Sequence, residues 1–226
     1  VTKIGPRRRG ARWAVCAVLL ASAATLSGCK VVTLDQDQAI RAKRSLNFKA
    51  DDYVAKIWDT QALPAFRDRA APAKTLFPTI DANADEAGAR LGRRAGEGAP
   101  WTFVVSGEGV VTAVDSGSRR RTIAVALGDG VSRSVKLQAG PVVVGTSLRD
   151  ALPFIAFDDF TDQLAYADVG RALTNTALSR LAPTLDGLKP GDEVRFVGAF
   201  DLAAADQPVL VTPVLIDKLG SRGVVP

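Results

Sequence analysis

From Trp101 onward the apolar residues change period twice, and that double change leaves very few folds open. Phe103-Val104-Val105 and Gly109 to Asp115 read as one long strand with glycine kinks, and Ser116-Gly117-Ser118 as a turn. Thr122 to Leu127 alternates in the period of a second strand, and Gly128-Asp129-Gly130 carries a hairpin signal. Val131 to Gln138 follows as a third strand, which Val142-Val143-Val144 extends or succeeds. The period then becomes helical. Residues 147–182 read as mostly helix, interrupted near Pro153, with Val169, Leu173, Ala177, Leu178 and Leu181 at helical intervals and Pro183 closing the run. After the turn Leu188-Lys189-Pro190-Gly191-Asp192, strand patterning returns over Val194 to Phe200 and Val209 to Ile216.

A three-strand meander, a helical insertion and two further strands is the element order of an OB-fold. The predicted class is α+β: a small OB-like five-stranded β-barrel with a helical insertion between strands 3 and 4, preceded by an N-terminal helical segment. Glycine in the first strand fits, because barrel strands bend sharply there. An immunoglobulin-like sandwich would need more strands and no long helical insert. Upstream, Asp51 or Asp52 is expected to cap a helix carrying Val54, Ile57 and Trp58. Pro64, Pro72 and Pro78 are expected to break the next stretch into short pieces; Ala82 to Leu91 reads as a short helix and Arg93 to Pro100 as a linker.

The first thirty residues have the three parts of a secretory signal in order. Lys3, Arg7, Arg8, Arg9 and Arg12 form a positive start, and Trp13 to Ala24 is apolar and uncharged. The run ends at Leu26-Ser27-Gly28-Cys29, the pattern of a lipobox. That run is shorter than the roughly 20 apolar residues a membrane span requires. Cys29 is therefore expected to receive a diacylglyceryl group and to become the first residue after cleavage. The expected organisation is a signal over 1–28, a lipidated tether over 29–46, a helical segment over 47–99, and the barrel domain over 100–226 with its insert at 147–182. Lys30 follows the cysteine, and the choice between inner and outer membrane stays open.

The charge balance changes meaning once the signal is set aside. The chain carries 29 Lys and Arg against 24 Asp and Glu, and the five basic residues of the signal account for the excess. The remaining 198 residues are formally neutral. No nucleic-acid partner is expected, because such partners require a basic surface that displaces counterions. The two cysteines are Cys16, inside the signal, and Cys29, so no disulfide can form after processing and stability must come from core burial. There is no histidine, which removes histidine-based zinc sites, Ser-His-Asp triads and the usual near-neutral general base. No cofactor or metal is expected. Carboxylate-only chemistry, as in glycosidases, remains open.

Arg149, Asp150, Asp158, Asp159 and Gln163 form the densest polar group in an otherwise apolar stretch, interleaved with Phe154, Phe157, Phe160 and Tyr166. Arg149 with neighbouring carboxylates can bind hydroxyls or a partner's charge, and aromatic rings such as Phe160 beside acids are common in sugar sites. The competing reading is structural: Asp150 caps a helix, Arg149 pairs with a local acid, and the aromatic stripe seals a helix against the barrel. Asp158 and Asp159 are adjacent, so they make a poor acid–base pair. Arg119-Arg120-Arg121 reads as a solvated charge run at a hairpin tip, with a contact to anionic lipid headgroups as the alternative that nothing else in the sequence supports.

Several segments together resemble the DUF2291 family of predicted periplasmic lipoproteins. They are Gly28 to Val32 (GCKVV), Tyr53 to Asp59 (YVAKIWD), Gly107 to Val111 (GEGVV), Gly140 to Phe154 (GPVVVGTSLRDALPF), Phe157 to Leu173 (FDDFTDQLAYADVGRAL), Val197 to Phe200 (VGAF) and Val211 to Val214 (VTPV). The resemblance implies a location on the periplasmic side of the envelope. Because members are often encoded beside sugar-type ABC transporters, it also implies an accessory role in solute uptake. The expected function is a non-enzymatic, membrane-anchored accessory or binding module whose partners are the membrane, through Cys29, and transporter components or a small polar solute such as a sugar. The alternatives are an envelope carbohydrate-active enzyme using carboxylates, and a structural or assembly lipoprotein that docks other proteins.

Overall fold

In the computed structural model, the described residues are 48–128, 131, 133, 135–202 and 208–221, with positions 35 and 38. Cys29 and the signal lie outside them. No helix among the described residues is long and apolar enough to cross a membrane.

Among the described residues, five main strands build the sheet: β1 (Thr102–Asp115), β2 (Thr122–Leu127), β3 (Val135–Gln138), β4 (Asp192–Asp201) and β5 (Val209–Ser221). β1 pairs antiparallel with β2 through its second half, from Gly109↔Leu127 to Asp115↔Thr122. Its first half pairs antiparallel with β4, from Thr102↔Asp201 to Val110↔Glu193. β2 pairs with β3, β3 runs parallel to β5, and β5 returns antiparallel to β4. The ring therefore closes in the order β1-β2-β3-β5-β4-β1, the OB topology. β1 belongs to both sides of the ring and must bend sharply between them. Gly109 sits where its two pairings overlap, and a Cβ there would lie 2.3 Å from the Ala126 carbonyl oxygen, so any side chain would push β1 off β2. Two-residue bridges at Ala71–Pro72 and Gly92–Arg93 add to the same strand.

Period-two alternation divides the core. Phe103, Val105, Val111, Val194, Phe196 and Phe200 belong to one buried cluster, together with Ile123, Val125, Leu137 and Val211. Val104, Ala199 and Val214, on the opposite face of their strands, belong to a second cluster that the helices complete. Before the barrel come α1 (Ala50–Ile57), a π-helical turn (Trp58–Ala62), α2 (Leu63–Arg69), α3 (Ala73–Ala82) and α4 (Ala84–Leu91). α3 sends Leu76, Phe77 and Ile80 into the first cluster, and α1 sends Val54 and Ile57 into the second.

The insertion contains α5 (Ser147–Asp150), a 3₁₀ turn (Phe157–Asp159) and α6 (Gln163–Gly187). Asp162 caps α6 by accepting the Ala165 N–H at 2.8 Å. Val169, Leu173, Ala177, Leu181 and Leu185 make a buried stripe at four-residue spacing. The first three pack in the helical cluster and the last two in the barrel cluster. One helix thus binds both cores together.

Several local expectations need correction. Pro183 lies inside α6 and the helix continues to Gly187, because burying Leu185 and Leu188 against the barrel outweighs one missing N–H. Pro78 likewise lies inside α3, whose Leu76, Phe77 and Ile80 are buried around it. Lys49, not Asp51 or Asp52, occupies the cap position of α1, and the two acids sit in its first turn, where they favour the helix dipole. The third strand begins at Val135. Val142-Val143-Val144 is no strand: it is a loop in which a side chain takes the place of a strand partner. The buried Gln138 donates to the Val144 carbonyl at 3.0 Å and accepts the Val144 N–H at 2.8 Å.

Candidate functional site

The loop from Gly140 leads into α5, and α5 brings Arg149 and Asp150 down onto Tyr166 of α6. Arg149 Nε donates to Asp150 Oδ1 at 2.8 Å, and both side chains are only 11 % exposed. A second guanidinium nitrogen donates to the Thr146 hydroxyl at 3.0 Å, which itself donates to Asp150 Oδ2 at 2.6 Å. The guanidinium lies 3.8 Å over the Tyr166 ring. Arg93, from the bridge before β1, donates to the Asp150 carbonyl at 2.8 Å. The pair expected at Arg149-Asp150 is therefore formed, and its polar atoms are directed at neighbours within the fold. Asp150 belongs to the short helix itself and does not cap it.

Asp201, at the end of β4, sits close behind this group. Its carboxylate accepts the Thr102 hydroxyl at 2.6 Å. Burial pushes its pKa up; the Thr102 hydrogen bond and Arg149 oppose that, while Asp150 adds to it. Ser147 continues the polar seam by donating to the Ala199 carbonyl at 3.1 Å, and Gln138 donates to the Thr212 hydroxyl at 3.0 Å. These contacts sew the insertion's entry loop onto β3, β4 and β5.

The second half of the expected group lies across Tyr166. Phe157 meets that ring edge-on at 5.5 Å and Phe160 is tilted against it at 5.7 Å. Phe160 is buried and also touches Phe48 and Tyr53, so it seals α1 against the start of α6. Burial pushes the Tyr53 phenol up to about 12, with Asp159 adding to the shift. Burial also raises Tyr166, opposed by Arg149. Asp158 and Gln163 are exposed and Asp159 half-buried. Tyr166 thus joins the two halves of the cluster, with the ion pair on its face and the aromatic loop at its edge. Among the described residues, no group of three or more acids, histidines or cysteines converges as a metal site.

A hollow of about 440 Å³ opens beside Phe157, Asp158, Phe160 and Thr161, and another concave surface lies elsewhere. An open groove of about 420 Å³ runs along β1 beside the start of α3, lined by Lys74, Ser106, Glu108, Leu127, Val131 and Arg195. Arg195 Nε donates to Glu108 Oε1 at 2.6 Å across the β1–β4 pairing. A continuation of about 410 Å³ passes Glu108 to Glu193 and Leu219. Sequence reasoning alone does not single these residues out. The available signal is parity: once β1 and β4 are neighbours, Glu108 and Arg195 both fall on the outward face.

Fold and surface together define a small OB-fold module carried by its own helical brace, with a filled barrel and polar surface sites. The family model of the DUF2291 predicted periplasmic lipoproteins matches residues 19–217, Cys29 included. The chain belongs to that family, and with it to the periplasmic side of the envelope, held at a membrane. No curated protein matches the sequence. Among solved structures, an OB-fold protein from Thermotoga maritima MSB8 is similar over 76 % of this chain and 99 % of its own, with 16 % identity and a TM-score of 0.60. An OBody bound to hen egg-white lysozyme aligns over 59 % of this chain and 92 % of its own, with 14 % identity and a TM-score of 0.31. At 16 % identity the likeness to the Thermotoga maritima protein concerns the fold alone.

Proposed function

We propose that this lipoprotein is a non-enzymatic binding module that assists solute uptake, holding a small polyhydroxylated or zwitterionic solute in the groove along β1. The observation that supports it is the convergence there of Lys74, Ser106, Glu108 and Arg195 from α3, β1 and β4. Donors and an acceptor around a partly apolar floor can hold hydroxyls in a fixed orientation. The Arg149–Asp150 pair is an inferior candidate, because it is mutually satisfied and only 11 % exposed, whereas the Glu108–Arg195 pair is more than half exposed to an incoming solute. The link to sugar-type ABC transporters rests on the family resemblance.

The test is a calorimetric titration of the full chain with sugars, polyols and zwitterionic solutes. A binder of the folded state also raises stability by RT ln(1 + [L]/Kd), about 2.7 kcal/mol at a hundredfold excess over Kd. Binding that Glu108→Gln and Lys74→Gln each weaken supports the groove. Binding indifferent to both, or no binding to any member of the panel, refutes it.

Two rival readings each have one supporting observation. Glu108 and Glu193 line the same continuation of the groove from adjacent strands, which is where a carboxylate enzyme would need them. Yet a glycosidase acid is made by burial, and the Glu108 side chain is 58 % exposed and paired with Arg195. For a docking lipoprotein, Phe157 and Leu164 stand 48 % and 66 % exposed beside the acids at 158, 159 and 162. That reading predicts capture of a basic-rimmed protein surface, abolished by Leu164→Asp.

A further inference from the structure

The β1–β2 turn ends in three arginines with unlike surroundings. Arg121 is engaged in the fold: it pairs with Asp186 and donates to the Leu185 carbonyl at 3.1 Å. Arg119 and Arg120 are exposed and make no ion pair among the described residues. Their backbone is nonetheless fixed. The Val142 N–H donates to the Arg119 carbonyl at 3.2 Å and the Ala139 N–H to the Arg121 carbonyl at 2.9 Å. Gly140 allows this approach, since a Cβ there would lie 2.4 Å from the Arg119 carbonyl oxygen.

The segment that clamps the arginine turn presents an apolar ridge. Pro141, Val142 and Val144 are exposed, the valines at 38 % and 43 %. Gln138 holds Val144 from beneath at both its N–H and its carbonyl. Lys136 lies two residues before Gln138 on β3, so period two places it on the same face. It too makes no ion pair among the described residues. Of the carboxylates beside the turn, Asp186 is taken by Arg121, and Asp115 accepts the Gly117 N–H at 3.0 Å.

We propose that this face, with Arg119, Arg120 and Lys136 around the Pro141-Val142-Val144 ridge, docks on the anionic phospholipid surface to which the lipoprotein is anchored. Unpaired cations for headgroup phosphates beside exposed small apolar side chains are the combination that interfacial binding requires. Residues 30–47 join Cys29 to Phe48, where the continuous described stretch begins, so the bilayer stays tethered to this fold. An anchor already in the bilayer makes docking intramolecular, so contacts too weak to recruit a free protein suffice. An acidic protein face has similar chemistry; the membrane is favoured because the anchor keeps it within one chain length. The inference rests on the family's lipid anchor and is independent of the groove along β1.

The test uses the full lipidated chain with Val142→Cys carrying an environment-sensitive fluorophore. The chain's other cysteines are Cys16 and Cys29, so the processed, lipidated protein offers one thiol. The protein is reconstituted into vesicles of phosphatidylcholine alone or mixed equally with phosphatidylglycerol, and quenching by brominated lipid is read. Quenching is expected in the anionic vesicles only, lost at high salt. At roughly fivefold per cation, Arg119→Gln, Arg120→Gln and Lys136→Gln together should reduce the docked-to-undocked ratio on the order of 100-fold. A label at Leu164→Cys should stay unquenched. Equal emission in both vesicles, quenching that survives the triple variant, equal quenching at Leu164, or quenching that appears only after a membrane protein is added would each overturn the proposal.

Discussion

Replacing Arg149 with Met tests whether the densest polar cluster holds the fold together or serves a ligand. Met preserves most of the aliphatic stem, so the cavity term is small. What disappears is the charge partner of a carboxylate that is 11 % exposed, and breaking a buried pair from one side costs about 3–5 kcal/mol. Asp150 keeps the Thr146 hydroxyl, and Arg93 remains bonded to its carbonyl, which places the expected loss near the lower end, about 3 kcal/mol. For a domain of this size each kcal/mol moves Tm by roughly 2–4 °C, so the variant should melt about 6–12 °C lower. Asp150→Asn in the same background should recover part of the loss, because the uncompensated charge is gone. Urea unfolding of the two single variants and the double variant measures the coupling directly. A loss below about 1 kcal/mol for Arg149→Met, well short of a buried pair, would refute the structural assignment and return Arg149 to the ligand candidates.

Burial has consequences for titration as well. Both tyrosines of the chain are shifted up, Tyr53 to about 12, so the native protein should show less tyrosinate absorbance near pH 10 than the unfolded chain. An ordinary titration there would contradict the packing of α1 on α6. Because the folded Tyr53 holds its proton more tightly than the unfolded chain, its contribution to stability is complete below about pH 10 and is lost as pH rises toward 12. Asp201 obeys the same sign at acid pH. Its raised folded pKa gives a contribution present below about pH 4, the unfolded value, and lost as pH rises through the folded one. Urea midpoints for Asp201→Asn should lack that decline, and an identical pH profile would contradict it.

The barrel's order was legible because strand and helix periods differ, and the α6 stripe from Val169 to Leu181 comes from spacing alone. The helical placement of Trp58, which is 1 % exposed within the helical cluster, was legible for the same reason. The register that closes the ring was not: Thr102↔Asp201 and Glu108↔Arg195 lie 99 and 87 positions apart, and period cannot register such pairings. The groove along β1 inherits that blindness. Val142 to Val144 failed differently, since three β-branched residues in a row read as strand while their partner is the side-chain amide of Gln138. At the polar cluster, the adjacency of Arg149 and Asp150 could be read. Its closure by Thr146, Arg93 and Tyr166 could not, because those groups arrive from separate elements.

Gln138 separates two accounts of the cationic face. Its amide makes three hydrogen bonds, two to Val144 and one to Thr212, and is nearly inaccessible to water. Gln138→Leu keeps the approximate volume and leaves every charge in place. It removes bonds contributing about 1 kcal/mol each and leaves the buried Thr212 hydroxyl with only its 3.4 Å bond from Ser147, for a total of roughly 2–4 kcal/mol. The loss is concentrated under the valine ridge, so amide exchange at Val144 should accelerate more than exchange in β1. If the ridge must be held in place for the face to meet lipid, quenching of the Val142→Cys label in anionic vesicles should fall several-fold with the net charge unchanged. If only the arginines mattered, as flexible charges on a solvated loop, quenching would persist and the rigid-ridge account would be refuted.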